Sequence, residues 1–146
     1  MCTGQTHEDV MNRQIMFTVH GPPVPKARAR VVSKDDETGR KTRSFTPEKT
    51  KAYESLVSMK ALEARSKMRQ WPWQDPGARF GIAINVFRSS ERGDLDNFEK
   101  SIWDACNEVI WPDDRQVIRR GDGGIFRCQK GRECVDVRIW IVEENQ

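Results

Sequence analysis

Two aspartates two residues apart, an asparagine beside the second and a lysine four residues beyond it stand in "GDLDNFEK", residues 93 to 100. Carboxylates so spaced can hold a hard divalent cation, and Mg²⁺ commonly takes one or two of them while leaving positions for water and phosphate oxygens. A lysine one helical turn further on can offset the charge that develops during phosphodiester cleavage. A plainer role is open to the same residues. Asp94 or Asp96 can cap a helix, where a negative charge is worth about 0.3–1 kcal/mol, and Lys100 can pair with Asp96 or Asp104 for a few tenths of a kcal/mol. One acid is enough for capping; the others repel one another unless a cation neutralises them. "WPDDRQV", residues 111 to 117, supplies a second adjacent pair, Asp113 and Asp114, that a folded chain can return beside the first.

The elements that must position these groups are readable from periodicity. Leu95, Phe98, Ile102, Ala105 or Cys106, and Val109 repeat at three-and-four spacing and predict a helix over residues 95–110, ended by Pro112. Its polar side then carries Asp96, Lys100 and Asp104 at successive turns, with Asp94 just before the helix. A first strand is expected over 14–21, an extended segment through "PPVPKARARV", a mobile loop over 33–44, and a helix opened by Thr46 and Pro47. In that helix Tyr53, Leu56 or Val57, Ala61, Ala64 and Met68 form the apolar face. Ile82, Ile84 and Val86 alternate in a further strand, 115–120 and 124–128 are short candidate strands, and Val135, Val137, Ile139 and Ile141 alternate in the last. The order β-α-β-α-β-β predicts an α+β fold: a single domain with a mixed β-sheet and two main helices packed on it. Residues 1–12 are expected to be a flexible N-terminal tail preceding a domain over 13–146, with Met11 and Met16 as alternative starts.

The composition limits what such a site can do. The chain has 146 residues, 36% hydrophobic and 32% charged, as in a soluble globular domain. No apolar run approaches the ~20 residues of a membrane span, and "MCTGQTHEDVMNRQIMF" lacks the pattern of a secretory signal, so the expected location is the cytoplasm. Four cysteines without C-x-x-C spacing and two histidines argue against zinc. Cys128 and Cys134 flank "QKGRE", where a hairpin would place them opposite each other, although a reducing cytosol works against a disulfide. Residues 24–51 carry nine Lys or Arg against four acids, whereas 91–114 carry eight acids against two basic residues. A basic arm holding Lys26, Arg28, Arg30, Lys34, Lys49 and Lys51 beside an acidic focus suits a polyanion gripped at its flanks while cations are held at the centre, and equally suits a solvated loop with ordinary surface charge. Trp71 and Trp73 offer either stacking surfaces for unpaired bases or core packing.

Taken together, "GDLDNFEKSIWDACNEVIWPDDRQV" resembles the signature of the RusA family of Holliday junction resolvases, in which a D-x-D-N-x-x-K helix start precedes a W-x-D-D-x-Q-V segment. "GPPVPKARARV" and "FTPEKTKAYE" are similar to family features as well, so the resemblance spans roughly residues 17 to 142. It implies an Mg²⁺-dependent endonuclease (Mn²⁺ being able to substitute) that acts as a homodimer, needs no nucleotide cofactor and nicks opposing strands of a four-way DNA junction. By the same resemblance Asp94, Asp96 and Asp114 are the catalytic metal ligands, with Asp113 a further candidate, Lys100 is the catalytic lysine, and Lys26, Arg28 and Arg30 face DNA phosphates. The helix end, Cys106-Asn107-Glu108, departs from the family's Leu-Asn-Gly-like pattern. A lysine common on the following strand is also missing, with Arg119, Arg120 or Arg127 in that region. A branched-DNA-binding protein without catalysis, and a nuclease of broader flap or fork preference, are the alternatives.

Overall fold

A computed structural model describes residues 13–26, 30–34, 41–45 and 48–143, the stretches 30–34 and 41–45 through their backbone alone. In chain order the elements are β1 (Gln14–His20), β2 (Arg30–Lys34), β3 (Lys41–Phe45), α1 (Glu48–Ser66), β4 (Phe80–Arg88), α2 (Leu95–Cys106), a 3₁₀ turn (Asp114–Gln116), β5 (Val117–Arg120), β6 (Gly124–Arg127) and β7 (Cys134–Ile141). β4 is central. β7 runs antiparallel along one edge of it, from Phe80↔Ile141 to Phe87↔Cys134, and β1 continues the sheet beyond β7. The opposite edge is shared by β5 and β6, both parallel to β4, the first beside Phe80–Ile82 and the second beside Asn85–Arg88. Between those two pieces the chain turns aside at Gly121–Gly123, where a Cβ on Gly123 would lie 2.2 Å from the Ile84 carbonyl oxygen. The result is the expected α+β architecture, a mixed five-stranded sheet carrying two helices among the described residues. No helix among those residues is long and apolar enough to cross a membrane.

The core lies between the sheet and the helices. Tyr53, Val57 and Ala61 of α1, and Phe98, Ile102 and Ala105 of α2, are buried against Ile82, Ile84, Val137 and Ile139. Val57, not Leu56, takes the inward position. Burial of a large apolar side chain is worth about 1.5–3 kcal/mol, against about 0.3–1 for a charge at a helix N-terminus. Phe98 and Ile102 therefore secure α2, and its acids are not needed for it to form.

Four expectations are corrected. The loop anticipated over 33–44 is strand at both its ends, where β2 pairs antiparallel with β3 from Arg30↔Phe45 to Lys34↔Lys41, while residues 35–40 lie outside the described residues; the charge density of "RVVSK" and "KTRSF" masked their β-branched and aromatic residues. α2 stops at Cys106, one turn before residue 110, because Asn107 turns extended and Glu108 takes φ 66°. The amides of Val109 and Ile110 then close on the Cys106 carbonyl, 3.0 and 2.9 Å away. Strand β5 is preceded by the 3₁₀ turn, so it begins at Val117, not 115. Cys128 and Cys134 do not face each other across a hairpin: β6 and β7 pair with opposite edges of β4, the segment between them crosses the end of that strand, and both thiols are free. The tail expected over residues 1–12 and the helix start at Thr46 and Pro47 lie outside the described residues.

The approach to α2 depends on one glycine. Gly93 has φ +94°, and a Cβ there would stand 2.7 Å from the Phe98 ring and 3.2 Å from Pro25. Arg88 braces the same loop through the Arg92 and Gly93 carbonyls. Gly93→Ala is expected to cost roughly 1–3 kcal/mol, read as a lower urea midpoint with an unchanged slope.

Candidate active site

The polar side of α2 opens on a cleft of about 440 Å³ lined by Asp96, Glu99, Lys100, Trp103, Asp104, Asp114 and Arg120. Asp96, Lys100 and Asp104 arrive there by helical spacing alone. Asp114 arrives by a return of the chain. After α2 the turn at 107–110 leads into Trp111, which is fully buried and packs against Phe80 and Trp103 at centroid distances of 6.1 and 6.2 Å. Its indole N–H donates to Asp114 Oδ1 at 2.7 Å. Asp113 takes a different duty: its Oδ1 accepts from the Arg115 amide at 2.9 Å and so caps the 3₁₀ turn. Gln116, buried, fixes the far side of that turn by donating to the carbonyls of Asp75 and Ala78 at 2.8 and 2.9 Å. The "W-x-D-D-x-Q" spacing thus has a structural meaning. Trp111 and Gln116 fasten the turn, Asp113 caps it, and Asp114 faces the cleft.

The cleft is electrostatically uneven. Burial raises the Asp114 carboxyl above the usual aspartate range; the Trp111 indole opposes this, and the nearby charges of Asp104 and Asp113 add to it. Asp104 is paired with Lys26, whose ammonium lies 3.1 Å from Asp104 Oδ2 and 2.6 Å from Glu54 Oε1. Burial alone would lower the pKa of Lys26, but these two carboxylates outweigh it and hold the value above the ordinary one. Asp96 meets Arg120, which is bound more closely by Glu99. Lys100 enters no ion pair among the described residues, so the expected pairing with Asp96 or Asp104 is displaced by Arg120 and Lys26. An unpaired ammonium in an acidic cleft is available to an incoming anion.

Asp94 occupies the N-cap of α2 but makes no side-chain capping bond; the amides of Asn97 and Phe98 are met by its backbone carbonyl at 3.0 and 3.1 Å. Its side chain lies outside the cleft lining. The structure therefore places Asp96, Lys100 and Asp114 along one cleft, with Asp94 outside its lining. Among the described residues no three His, Cys, Asp or Glu side chains converge closely enough to hold a metal ion. The donor chemistry nevertheless fits Mg²⁺, which is served by one or two carboxylates when substrate oxygens and water complete its shell; of the four acids that line the cleft, Asp104 is paired with Lys26 and Glu99 with Arg120, which leaves, among the described residues, Asp114 without an ion pair and Asp96 with one long contact to Arg120.

The basic arm is partly described. Lys26 is drawn against α2: its amide donates to the Asn97 carbonyl at 2.8 Å, and Ser101 Oγ donates to the Val24 carbonyl at 3.0 Å. Lys49 and Lys51 are exposed on the first turn of α1. Arg30 and Lys34 belong to β2, whose side chains lie outside the described residues, as does Arg28. The stacking role open to Trp71 is excluded by burial, for it is 5% exposed and donates its indole N–H to the Ile110 carbonyl at 2.9 Å. Trp73 lies beneath the Arg65 guanidinium, 3.9 Å from its ring centroid. Glu99 and the position of Arg120 escaped sequence reading, because Arg120 reaches α2 only through the pairing of β5 with β4, which sets it beside Ile82.

Comparison with curated proteins finds no match. The family model described as endodeoxyribonuclease RusA matches residues 20–139, a span that runs from the end of β1 into β7 and contains the whole cleft. The chain belongs to the RusA endodeoxyribonuclease family.

Proposed function

We propose that this endonuclease of the Holliday junction resolvase family resolves four-way DNA junctions by paired nicks in an Mg²⁺-dependent reaction, as a homodimer acting in the cytoplasm on recombination and repair intermediates. The observation that carries the reading is the cleft itself, which Asp96 and Lys100 of α2 line together with Asp114 of the 3₁₀ turn, 14 or more positions away in sequence. A protein that only binds DNA gains nothing from carboxylates turned toward a polyanion.

Asp96 and Asp114 are the residues that would hold the cation, with Asp94 near enough in sequence to join them. The cation supplies charge neutralisation at the scissile phosphate and activates water when bound. Trp111 holds one oxygen of Asp114 by a hydrogen bond, and the other would be the one to serve the cation. Lys100, without a carboxylate partner in the cleft, offsets the negative charge that accumulates as the phosphodiester is attacked. Lys49, Lys51 and the arm through Arg28, Arg30 and Lys34 bind flanking phosphates, a salt-sensitive contribution that carries no sequence preference. A two-fold dimer presents two such clefts to the two related strands of a junction.

The test is a panel of an end-labelled four-way junction, a flap and a linear duplex, each with Mg²⁺, with Ca²⁺ and with EDTA. Symmetric nicks in the junction with Mg²⁺ alone are expected. Equal cutting of the flap would assign the broader nuclease, and failure to cut any branched substrate across the neutral pH range would leave a binding protein. Sedimentation should give twice the 16.9 kDa mass of one chain; a single-chain mass at micromolar concentration rules out the dimer.

A further inference from the structure

The guanidinium of Arg120 occupies the acidic cleft as a built-in cation. It reaches Glu99 with two donors, Nε to Oε2 at 3.2 Å and Nη2 to Oε1, and touches Asp96 Oδ1 with the same Nη2 at 3.4 Å. The two contacts differ in strength for physical reasons. Glu99 is 12% exposed and held by a two-point fork, whereas Asp96 is 88% exposed and held by one long contact. Forked, shielded pairs persist, and exposed single contacts are worth little. When a stronger cation competes for these carboxylates, the contact to Asp96 is therefore the one that breaks, while Glu99 keeps Arg120 in place.

We propose that Arg120 is a resident counter-ion that shields Asp96 when no divalent cation is bound and competes with that cation for the Asp96 carboxylate, with Glu99 as the tether that decides how far Arg120 reaches. This rests on the divalent-cation reading of the cleft. Three acids on one helix face, Asp96, Glu99 and Asp104, together with Asp114, repel one another across the cleft; Arg120 and Lys26 relieve that repulsion without enclosing the site. The arrangement predicts opposite effects of neutralising the two partners. Loss of the Arg120 charge removes a competitor and tightens the cation, whereas loss of Glu99 releases Arg120 toward Asp96 and weakens it. Arg120 is a positioning residue here, acting through Asp96.

The experiment is Mn²⁺ binding to the full chain without DNA, by calorimetry and by loss of the free-ion paramagnetic resonance signal. The proteins are the wild type, Arg120→Gln, Glu99→Gln, the double variant and Asp96→Asn, each first checked for an unchanged circular dichroism spectrum. Arg120→Gln should bind Mn²⁺ roughly tenfold more tightly, the effect of removing one positive charge a few ångströms from the ion. Glu99→Gln should bind more weakly, and most of that loss should vanish in the double variant. Unchanged affinity in Arg120→Gln, with binding still lost in Asp96→Asn, overturns the counter-ion role and leaves the metal site standing. If the Glu99→Gln loss persists in full without Arg120, the tether is overturned, because Glu99 then acts on the ion directly. Absence of wild-type binding, or affinity unaffected by Asp96→Asn, removes the metal reading and the counter-ion with it.

Discussion

Asp114→Asn should reduce junction nicking by at least about 10³-fold, the scale of losing a principal electrostatic group of a hydrolytic site, while junction binding in Ca²⁺ is kept. Asp96→Asn should do the same. Asp114 also permits a stability test that separates a functional carboxylate from a structural one. Its folded-state pKa is raised, chiefly by burial. A raised value means that the stability linked to this group is fully present below the unfolded pKa, about 3.9 for aspartate, and is lost as pH rises through the folded value. At neutral pH the charge therefore costs stability, and Asn removes that cost while its amide oxygen still accepts from Trp111. In EDTA, the thermal midpoint of Asp114→Asn should exceed that of the wild type near pH 7.5, with the difference closing as pH falls toward 4. Asp114→Ala should lose activity equally but melt lower by roughly 3–10 °C, because it leaves the buried Trp111 N–H without an acceptor. A wild-type rate in Asp114→Asn removes this residue from the chemistry.

Lys100→Met should lower kcat for junction nicking by about 10²–10³-fold with little change in KM. The reason is its isolation: Asp104 is matched by Lys26 and Asp96 by Arg120, so the Lys100 ammonium contributes little to the resting fold. Its removal should leave the melting temperature within the scatter of ordinary surface substitutions, about ±0.5 kcal/mol. Lys100→Arg should restore only part of the rate, because the planar guanidinium fork is longer and differently shaped than a compact ammonium. Single-turnover kinetics decide the matter; an effect confined to KM would make Lys100 a binding residue only.

What the sequence made legible was local. The three-and-four spacing of Leu95, Phe98, Ile102 and Ala105 depends on no distant partner, and it placed Asp96, Lys100 and Asp104 on one side of α2 as found. The approach of Asp114 was legible as an expectation because "WPDDRQV" follows the helix closely, but the reason for the tryptophan, its bond to Asp114, was not. Non-local placements were beyond reach. Arg120 meets Glu99 only through the β4 and β5 register, and Lys26, read by charge as a phosphate contact, is engaged by Glu54 and Asp104 on two helices. Cys128 and Cys134 were misjudged because nearness in sequence suggested a hairpin where the chain passes around a central strand. For Asp94, spacing predicted a cap and the fold supplied the position without the bond.

The broken edge beside β4 bears on how the protein behaves when crowded. A long, flat outer strand exposes unpaired amides and carbonyls and can recruit strands from other molecules into aggregates. Here that border is divided into β5 and β6, four residues each, by the glycine-lined detour at 121–123, and it carries Arg119, Arg120 and Arg127. Neither fragment is long enough to template a continuous ladder, and like charges repel an approaching copy. The detour that lets Arg120 end its strand beside the acidic cleft therefore also guards the protein against self-association through this edge of its sheet.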